Sequence, residues 1–343
     1  MAVSIASGLD HPLLLVLLAD GRLRSGEWLA GELKVSRAAV WKGVERLRAL
    51  GLEVQALPRR GYRLSNPVEL LDARRIGAEI DPGHAGRLRK LELLFEVDST
   101  NSRLLSNAAP PPGMADVCMS ELQHAGRGRR GRRWIAPFGG GVALSLAWTF
   151  GDAARAMPAL SLGVGVAIAR ALTRAGALGV SLKWPNDIWF RDRKIGGVLI
   201  ELRAEAGGPA HVVIGVGINV ALTPADRAEL EAQGAHAAAV ADACAAAPSR
   251  NRVAGAILDE LLSMLGEFER DGFAAFRDAW LALDALNGRS VRVLLGSEAI
   301  VGRARGVDHE GALLLETGDG LRRFVSGEAS LRVHEGEDRK SVV

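Results

Sequence analysis

Along the first sixty residues the apolar positions recur at helical intervals and then switch to alternation. His11 to Asp20 carries an almost unbroken apolar run, which predicts a short helix. Ser25 is placed as the N-cap of "GEWLAGEL", Lys34 and Val35 make a short turn, and Ser36 caps "RAAVWKGVERLRALG". In this third helix Val40, Val44, Leu47 and Leu50 form the buried stripe, and Gly51 is the stop. Leu52 and Val54, then Tyr62 and Leu64, alternate on either side of a turn from Pro58 to Gly61, which predicts a hairpin tipped by Arg59 and Arg60.

Ser36, Arg37, Trp41, Lys42 and Arg46 fall outside the apolar stripe, near the exposed start and flank of that helix. Helix, short turn, basic helix and basic-tipped hairpin together suit a recognition helix in the major groove with a wing on phosphate. A small helical packing module with a solvated charged face fits the same pattern.

The composition shifts after "SNPVELLDARRI", and residues 67–286 read as one larger domain. "LELLFEVDSTNSRLL" is a strand followed by a polar group, Asp98 to Asn101, suited to cap a helix beginning at Ser102. Strands are expected in "MADVCMSELQ" and "GVALSLAWTF", and a small-residue helix in "PALSLGVGVAIARALTRAGA". "VSLKWPNDIWFRDRKIGGVLIEL" alternates as strand, turn, strand, turn, strand, and "HVVIGVGINV" adds another, whose Gly215 and Gly217 permit close approach. Residues 287–335 read as five short strands with glycine turns, and residues 336–343 as a tail.

Between two of the apolar strands stands "QHAGRGRRGRRWIAPFGGG", in which Arg127, Arg129, Arg130, Arg132 and Arg133 are interleaved with glycines. The flanking strands make this a loop inside a folded domain, which lowers the reading as a nucleic-acid arm. It has neither GxxxxGK[ST] spacing nor a glycine fingerprint leading into a helix. Guanidiniums on a mobile backbone hold carboxylate and phosphate together and cancel their repulsion, so the loop suits a reaction that joins two anions, with Lys194 as a further charge. The whole-chain charge of +3 is too small to choose a partner. Cys118 and Cys244 have no metal-ligand spacing and fit a reducing cytoplasm. The apolar run from Pro12 to Ala19 is too short to cross a bilayer, so no membrane partner is expected.

"GRGRRGRRW", "KWPNDI", "RKIGGVLIE" and "GVGIN", in that order, resemble biotin protein ligases, and with the preceding winged helix the chain is similar to the bifunctional biotin operon repressor and ligase family from about Leu9 to Arg332. The resemblance implies an α+β chain: a winged helix-turn-helix over 1–66, a mixed-sheet, class II synthetase-like catalytic domain, and a small SH3-like barrel. It implies activation of biotin by ATP with Mg2+ to biotinyl-5'-AMP, then transfer to one lysine of a biotin carboxyl carrier protein, a subunit of acetyl-CoA carboxylase. Ser99, Thr100, Asn101 and Gln123 resemble biotin contacts. Arg127, Gly128 and Arg129 match the loop over carboxylate and phosphate, and Lys194 the lysine that meets both. Arg129, Lys194 and Asp187 would be catalytic, and Arg132, Trp134, Asn186 and Asn219 would approach the nucleotide, although Trp134 also suits an anchor for the loop. Operator DNA and a ligand-promoted homodimer are the further implied partners.

Two departures from the family pattern stand out. His124 follows Gln123, and Ala221 to Ser249 holds no aromatic residue to stack on adenine. A ligase with a non-regulatory N-terminal domain, or a lipoate or other acyl ligase, is an alternative; the arginine-rich loop favours biotin.

Overall fold

The computed structural model describes residues 11–151, 159–204, 209–295, 298–325 and 330–333. Helices α1 (His11–Leu18), α2 (Gly26–Leu33) and α3 (Arg37–Ala49) precede a hairpin of β1 (Val54–Leu57) and β2 (Gly61–Leu64). Ser25 and Ser36 cap α2 and α3, their hydroxyls accepting from Trp28 N at 3.1 Å and Ala39 N at 3.2 Å. Leu14, Leu18, Leu29, Val40, Val44 and Leu47 are buried together. Leu50, expected in the stripe, is half-buried and forms the C-cap of α3; Leu52 takes the buried place after Gly51 turns the chain at φ 87°.

The core of this unit does not stop at residue 66. Val68, Leu70, Phe95 and Phe138 pack against it, the two phenylalanine rings 5.3 Å apart. The connecting segment is held from behind: Asn251 accepts from Asp72 N at 2.7 Å and donates to Leu70 O at 2.8 Å.

Two short helices, α4 (Ala73–Gly77) and α5 (Pro82–Ala85), lead into the central unit. It is built from β3 (Leu88–Val97), α6 (Thr100–Leu105), β4 (Ala115–Gln123), β5 (Gly141–Phe150) and α7 (Leu160–Arg174). There follow β6 (Val180–Lys183), β7 (Asp187–Phe190), β8 (Arg193–Ala204), β9 (Ala210–Asn219), α8 (Pro224–Ala232), α9 (Arg250–Asp271) and α10 (Ala274–Ala282). The sheet has the order β3-β4-β5-β9-β8-β7-β6; only β3 and β4 run parallel, so it is mixed as expected. Helix α6 begins two residues before the expected Ser102, because Ser99 is itself the cap.

Strand β5 is buried over its whole length, and its alternation separates two tasks. Val142, Leu144, Leu146, Trp148 and Phe150 join the large core with α7 and α9, Phe150 lying 6.4 Å from the Phe268 ring. Ala147 meets Leu94, Leu104 and Cys118 in a smaller cluster under α6. Ser145 is on this second face, where the candidate site lies.

The chain then adds β10 (Ser290–Leu295), β11 (Glu298–Val307), β12 (Leu313–Thr317), β13 (Gly320–Phe324) and β14 (Ser330–Val333), an antiparallel sheet of order β13-β12-β11-β10-β14. The five expected strands are therefore present. Trp184 donates to Gly311 O at 3.1 Å and Arg277 to Val307 O at 3.1 and 3.2 Å, which docks this sheet on the central unit.

Candidate functional site

Ser99, Thr100 and Asn101 are brought to the sheet by the cap and first turn of α6 and are 3%, 3% and 4% exposed. Gln123, at the end of β4, accepts from Thr100 N at 2.9 Å, and its Oε1 also lies 3.1 Å from Thr100 Oγ1. Ser145 Oγ lies 2.7 Å from Thr100 Oγ1 and 2.5 Å from Asn101 Oδ1. Asn101 Nδ2 donates to Glu201 Oε2 at 2.8 Å, and Arg127 Nη2 donates to the same oxygen at 2.9 Å. Four chain segments therefore converge on the triplet.

The glycines of β9 let them converge. A Cβ on Gly215 would stand 3.0 Å from Asn101 Cγ and Nδ2, and one on Gly217 would stand 2.7 and 2.8 Å from Nε1 and Cζ2 of Trp134. The close approach expected at both positions is thus made by side chains of the site itself. Gly197 does the same for Lys194, whose Nζ would lie 3.1 Å from a Cβ there.

The arginine loop folds back on itself as a narrow ribbon. Gly128 N donates to Arg132 O at 2.7 Å and Trp134 N to Gly126 O at 2.9 Å, while Arg130 takes a left-handed φ of 57° in the turn Arg129–Gly131. The five guanidiniums then part company. Arg130, Arg132 and Arg133 are exposed, and Arg133 donates to His124 O at 2.9 Å. Arg129 turns inward, half-buried, and donates to Asn186 Oδ1 at 3.2 Å. Burial holds its pKa below the ordinary arginine value, helped by Arg130 and Arg132 and opposed by Asp187. Positive charge is crowded there, a condition that an entering anion relieves.

Lys194 Nζ stands 2.6 Å from Asp187 Oδ1 and 5.8 Å from the centre of the Trp134 ring. Its backbone is gripped by the segment without aromatics: Lys194 N donates to His236 O and Ala238 N to Lys194 O, both at 2.9 Å. Asn219 donates to Ala238 O at 3.1 Å; its Oδ1 and Trp134 Nε1 are buried without a hydrogen-bond partner among the described residues. Arg129, Ser161, Asn186 and Leu199, with Glu310 and Ala312 of the turn between β11 and β12, bound a cavity of about 490 Å3, within the size range of small-molecule sites. A second crevice, at Gln123, Trp134 and Gly141, holds about 10 Å3, room for one water.

The structure therefore brings Ser99, Thr100, Asn101, Gln123 and Arg127 into one cluster, and Arg129, Asn186, Asp187, Lys194 and Trp134 into a second beside it. Gly128 joins the two within the ribbon. Arg132 points to solvent, and Asn219 is held under the sheet end. Sequence reasoning missed Ser145 and Glu201. Ser145 is a single hydroxyl within an apolar strand, and Glu201 closes the stretch "RKIGGVLIE" that already resembled the ligases; both signals were present.

At the other end of the chain Arg37, Trp41, Lys42, Arg59 and Arg60 are exposed, Trp41 by 54%. Ser36 spends its hydroxyl on the helix cap. Arg46 departs from this group: it lies 3.7 Å from Glu96 on β3, a carboxylate that also meets His124 Nε2 at 2.7 Å.

Comparison with known proteins agrees with this arrangement along the chain. Residues 94–219 match the Biotin/lipoate A/B protein ligase family, 287–332 the Biotin protein ligase C terminal domain, and 12–63 an HTH domain. The bifunctional ligase/repressor BirA of Salmonella typhimurium is 39% identical over 94% of this chain and 98% of its own, and that of Escherichia coli 38% over 94% and 97%. The biotin protein ligase of Aquifex aeolicus, solved with biotin and ATP, superposes with a TM-score of 0.61 at 28% identity, over 72% of this chain and all of that one. Loop, lysine corner, mixed sheet and helix-turn-helix all fall within these matches, and the chain belongs to the biotin protein ligase family, in its form with an N-terminal helix-turn-helix domain.

Proposed function

We propose that this ligase activates biotin with MgATP to biotinyl-5'-AMP, releasing pyrophosphate, and then acylates one lysine of a biotin carboxyl carrier protein. The observation that carries the residue assignment is that Arg129 and Asn186 meet at the wall of one cavity, with the Asp187–Lys194 pair next in the chain to Asn186 and the Ser99–Thr100–Asn101 cluster alongside. In the first step a carboxylate oxygen attacks the α-phosphorus and pyrophosphate leaves. Two anions must touch, and Arg129 and Lys194 supply the fixed positive charge that lowers this barrier. Ser99, Thr100, Asn101 and Gln123 hold the biotin ring, and Arg127 with Gly128 carries the loop over its carboxylate. In the second step the lysine amine attacks the acyl carbon and AMP leaves, and Asp187 takes the ammonium proton.

Mg2+ would neutralise charge on the nucleotide phosphates, and on the protein side one or two carboxylates would hold it. Asp187, with the amide oxygen of Asn186, is the oxygen pair that fits this task. Among the described residues no three His, Cys, Asp or Glu side chains cluster into a cage, so no further metal site is assigned. Trp134 and Asn219, each with a buried unpartnered polar atom, are the groups a nucleotide would satisfy. Arg132 would reach it only after the loop turns.

The N-terminal unit represses biotin-synthesis genes by placing α3 in the major groove and Arg59 and Arg60 on phosphate. Pairing of half-sites by a ligand-promoted homodimer, through a sheet edge of the central unit such as β3, gives the affinity that one small module lacks. Incubation with biotin, MgATP and a carrier domain, followed by intact-mass measurement, tests the ligase. An unmodified carrier, with no biotinyl-AMP formed, would refute it.

A further inference from the structure

We infer that Ser145 and Glu201 are positioning residues that fix the hydrogen-bond polarity of the biotin pocket through Thr100 and Asn101; the inference rests on the ligase reading above. Glu201 stands at one end of a hydrogen-bonded row. Its carboxylate can only accept, so the side chain of Asn101 that meets it at 2.8 Å presents its NH2. The opposite atom of that amide is then the oxygen, which can only accept. Ser145, 2.5 Å away, must therefore give its single proton to Asn101 Oδ1. The 2.7 Å contact between Ser145 and Thr100 then needs the proton of Thr100 Oγ1. Gln123 Oε1, at 3.1 Å from Thr100 Oγ1, is the longer of the two contacts open to that proton and is already satisfied by the Thr100 backbone N–H at 2.9 Å.

One carboxylate thus sets the direction of every proton in the row: Thr100 to Ser145, Ser145 to Asn101, Asn101 to Glu201. With its own proton committed, Thr100 Oγ1 can only accept from a ligand. The pocket is polarised for an N–H donor such as a cyclic urea supplies, and against a ring without one. A site built to bond a substrate N–H rejects analogues that lack it far more strongly than a pocket that reads shape alone. Burial enforces the arrangement, because Ser145 is fully buried and Asn101 is 4% exposed, so water does not scramble the donors. Arg127 closes the row from outside, pairing with the same Glu201 oxygen at 2.9 Å, so one carboxylate also seats the first limb of the arginine loop on the triplet.

Ser145→Ala and Glu201→Gln test this in the full chain. Glutamine keeps the shape but brings its own NH2, so the amide of Asn101 is free to turn over. Biotin KM is expected to rise about tenfold in each, from loss of directed buried bonds, with ATP KM within twofold of wild type and an unchanged circular dichroism spectrum. Discrimination between biotin and an analogue with one ureido N–H replaced by oxygen should narrow in both. A biotin KM within twofold of wild type, or an ATP KM that rises in step, overturns the proposal. If Ser145→Ala does not fold, Glu201→Gln decides, its side chain being 26% exposed. A wild-type protein that forms no biotinyl-AMP would instead defeat the ligase reading, which the same experiment records separately.

Discussion

Gly217→Ala is the smallest change that tests how the arginine loop is seated. The added methyl would lie 2.7 Å from Trp134 Nε1 and 2.8 Å from Cζ2, where ordinary contact begins at 3.4 Å. An indole ring is rigid, so it must retreat as a body by more than half an ångström. Trp134 N is bonded to Gly126 O across the ribbon, and the displacement therefore reaches both limbs of the loop. Overpacking of this kind costs about 1 to 3 kcal/mol, which at 1.4 kcal/mol per decade corresponds to about 5- to 150-fold. The loss should appear as faster escape of biotinyl-AMP, followed by rapid dilution of the preformed complex and timed filtration. Hydrogen exchange over residues 125–134 should rise in parallel. Release within twofold of wild type from a folded protein would show that Trp134 does not set the loop, and would return Gly217 to ordinary sheet packing.

Arg129→Ala should slow adenylate formation by about 2 to 4 kcal/mol, as expected for one lost charged contact to the transition state; stopped-flow measurement of pyrophosphate release reads it, and an unchanged rate removes Arg129 from the chemistry. Burial pushes the Asp284 carboxyl up to about 6 from 3.8, despite a bond from Leu286 N at 2.9 Å. Because the folded state favours the protonated acid, its stability is full below pH 4 and is lost as the pH rises from 4 through 6. Asp284→Asn should therefore stabilise by about 1 to 2 kcal/mol at pH 8 and by little at pH 4, seen in paired thermal melts; equal effects at both pH values would refute the account. Joint replacement of Trp41 and Lys42 by Ala should weaken binding to a duplex selected from a random library by about tenfold or more at low salt, with ligase activity unchanged; unaltered binding would take α3 out of the groove.

The sequence was most legible where chemistry and period coincided. Ser25, Ser36 and Pro58 to Gly61 marked the elements of the N-terminal unit because caps and turns are local contacts, settled within a few residues. The arginine loop and the Lys183 to Gly197 corners were legible for a different reason, as uncommon residue strings between apolar strands. What pairs across the sheet was not. Ser145 is 44 residues from Asn101, and Glu201 is 100 residues from it; only the registers of β5 with β9 and of β9 with β8 put them side by side. The same limit applies to Arg129 and Arg132, three residues apart in one run of positive charge. The left-handed turn at Arg130 sends one inward and leaves the other in solvent. Gly215 and Gly217 were read as points of close approach, but what approaches them is set by tertiary packing.

The continuation of the N-terminal core past residue 66 bears on any attempt to treat that unit as an interchangeable part. Phe95 and Phe138 belong to the central unit in sequence, yet they complete a core formed by α1 to α3. A cut before residue 67 would strip their cover and leave two aromatic rings facing water, with Val68 and Leu70 beside them. A swap of this segment between relatives would likewise have to reproduce a cation at position 46 opposite Glu96. Fusion and deletion boundaries that respect the molecule lie in side chains rather than at a chain position: Leu70, Phe95 and Phe138 travel with the winged helix or must be made polar when it is removed.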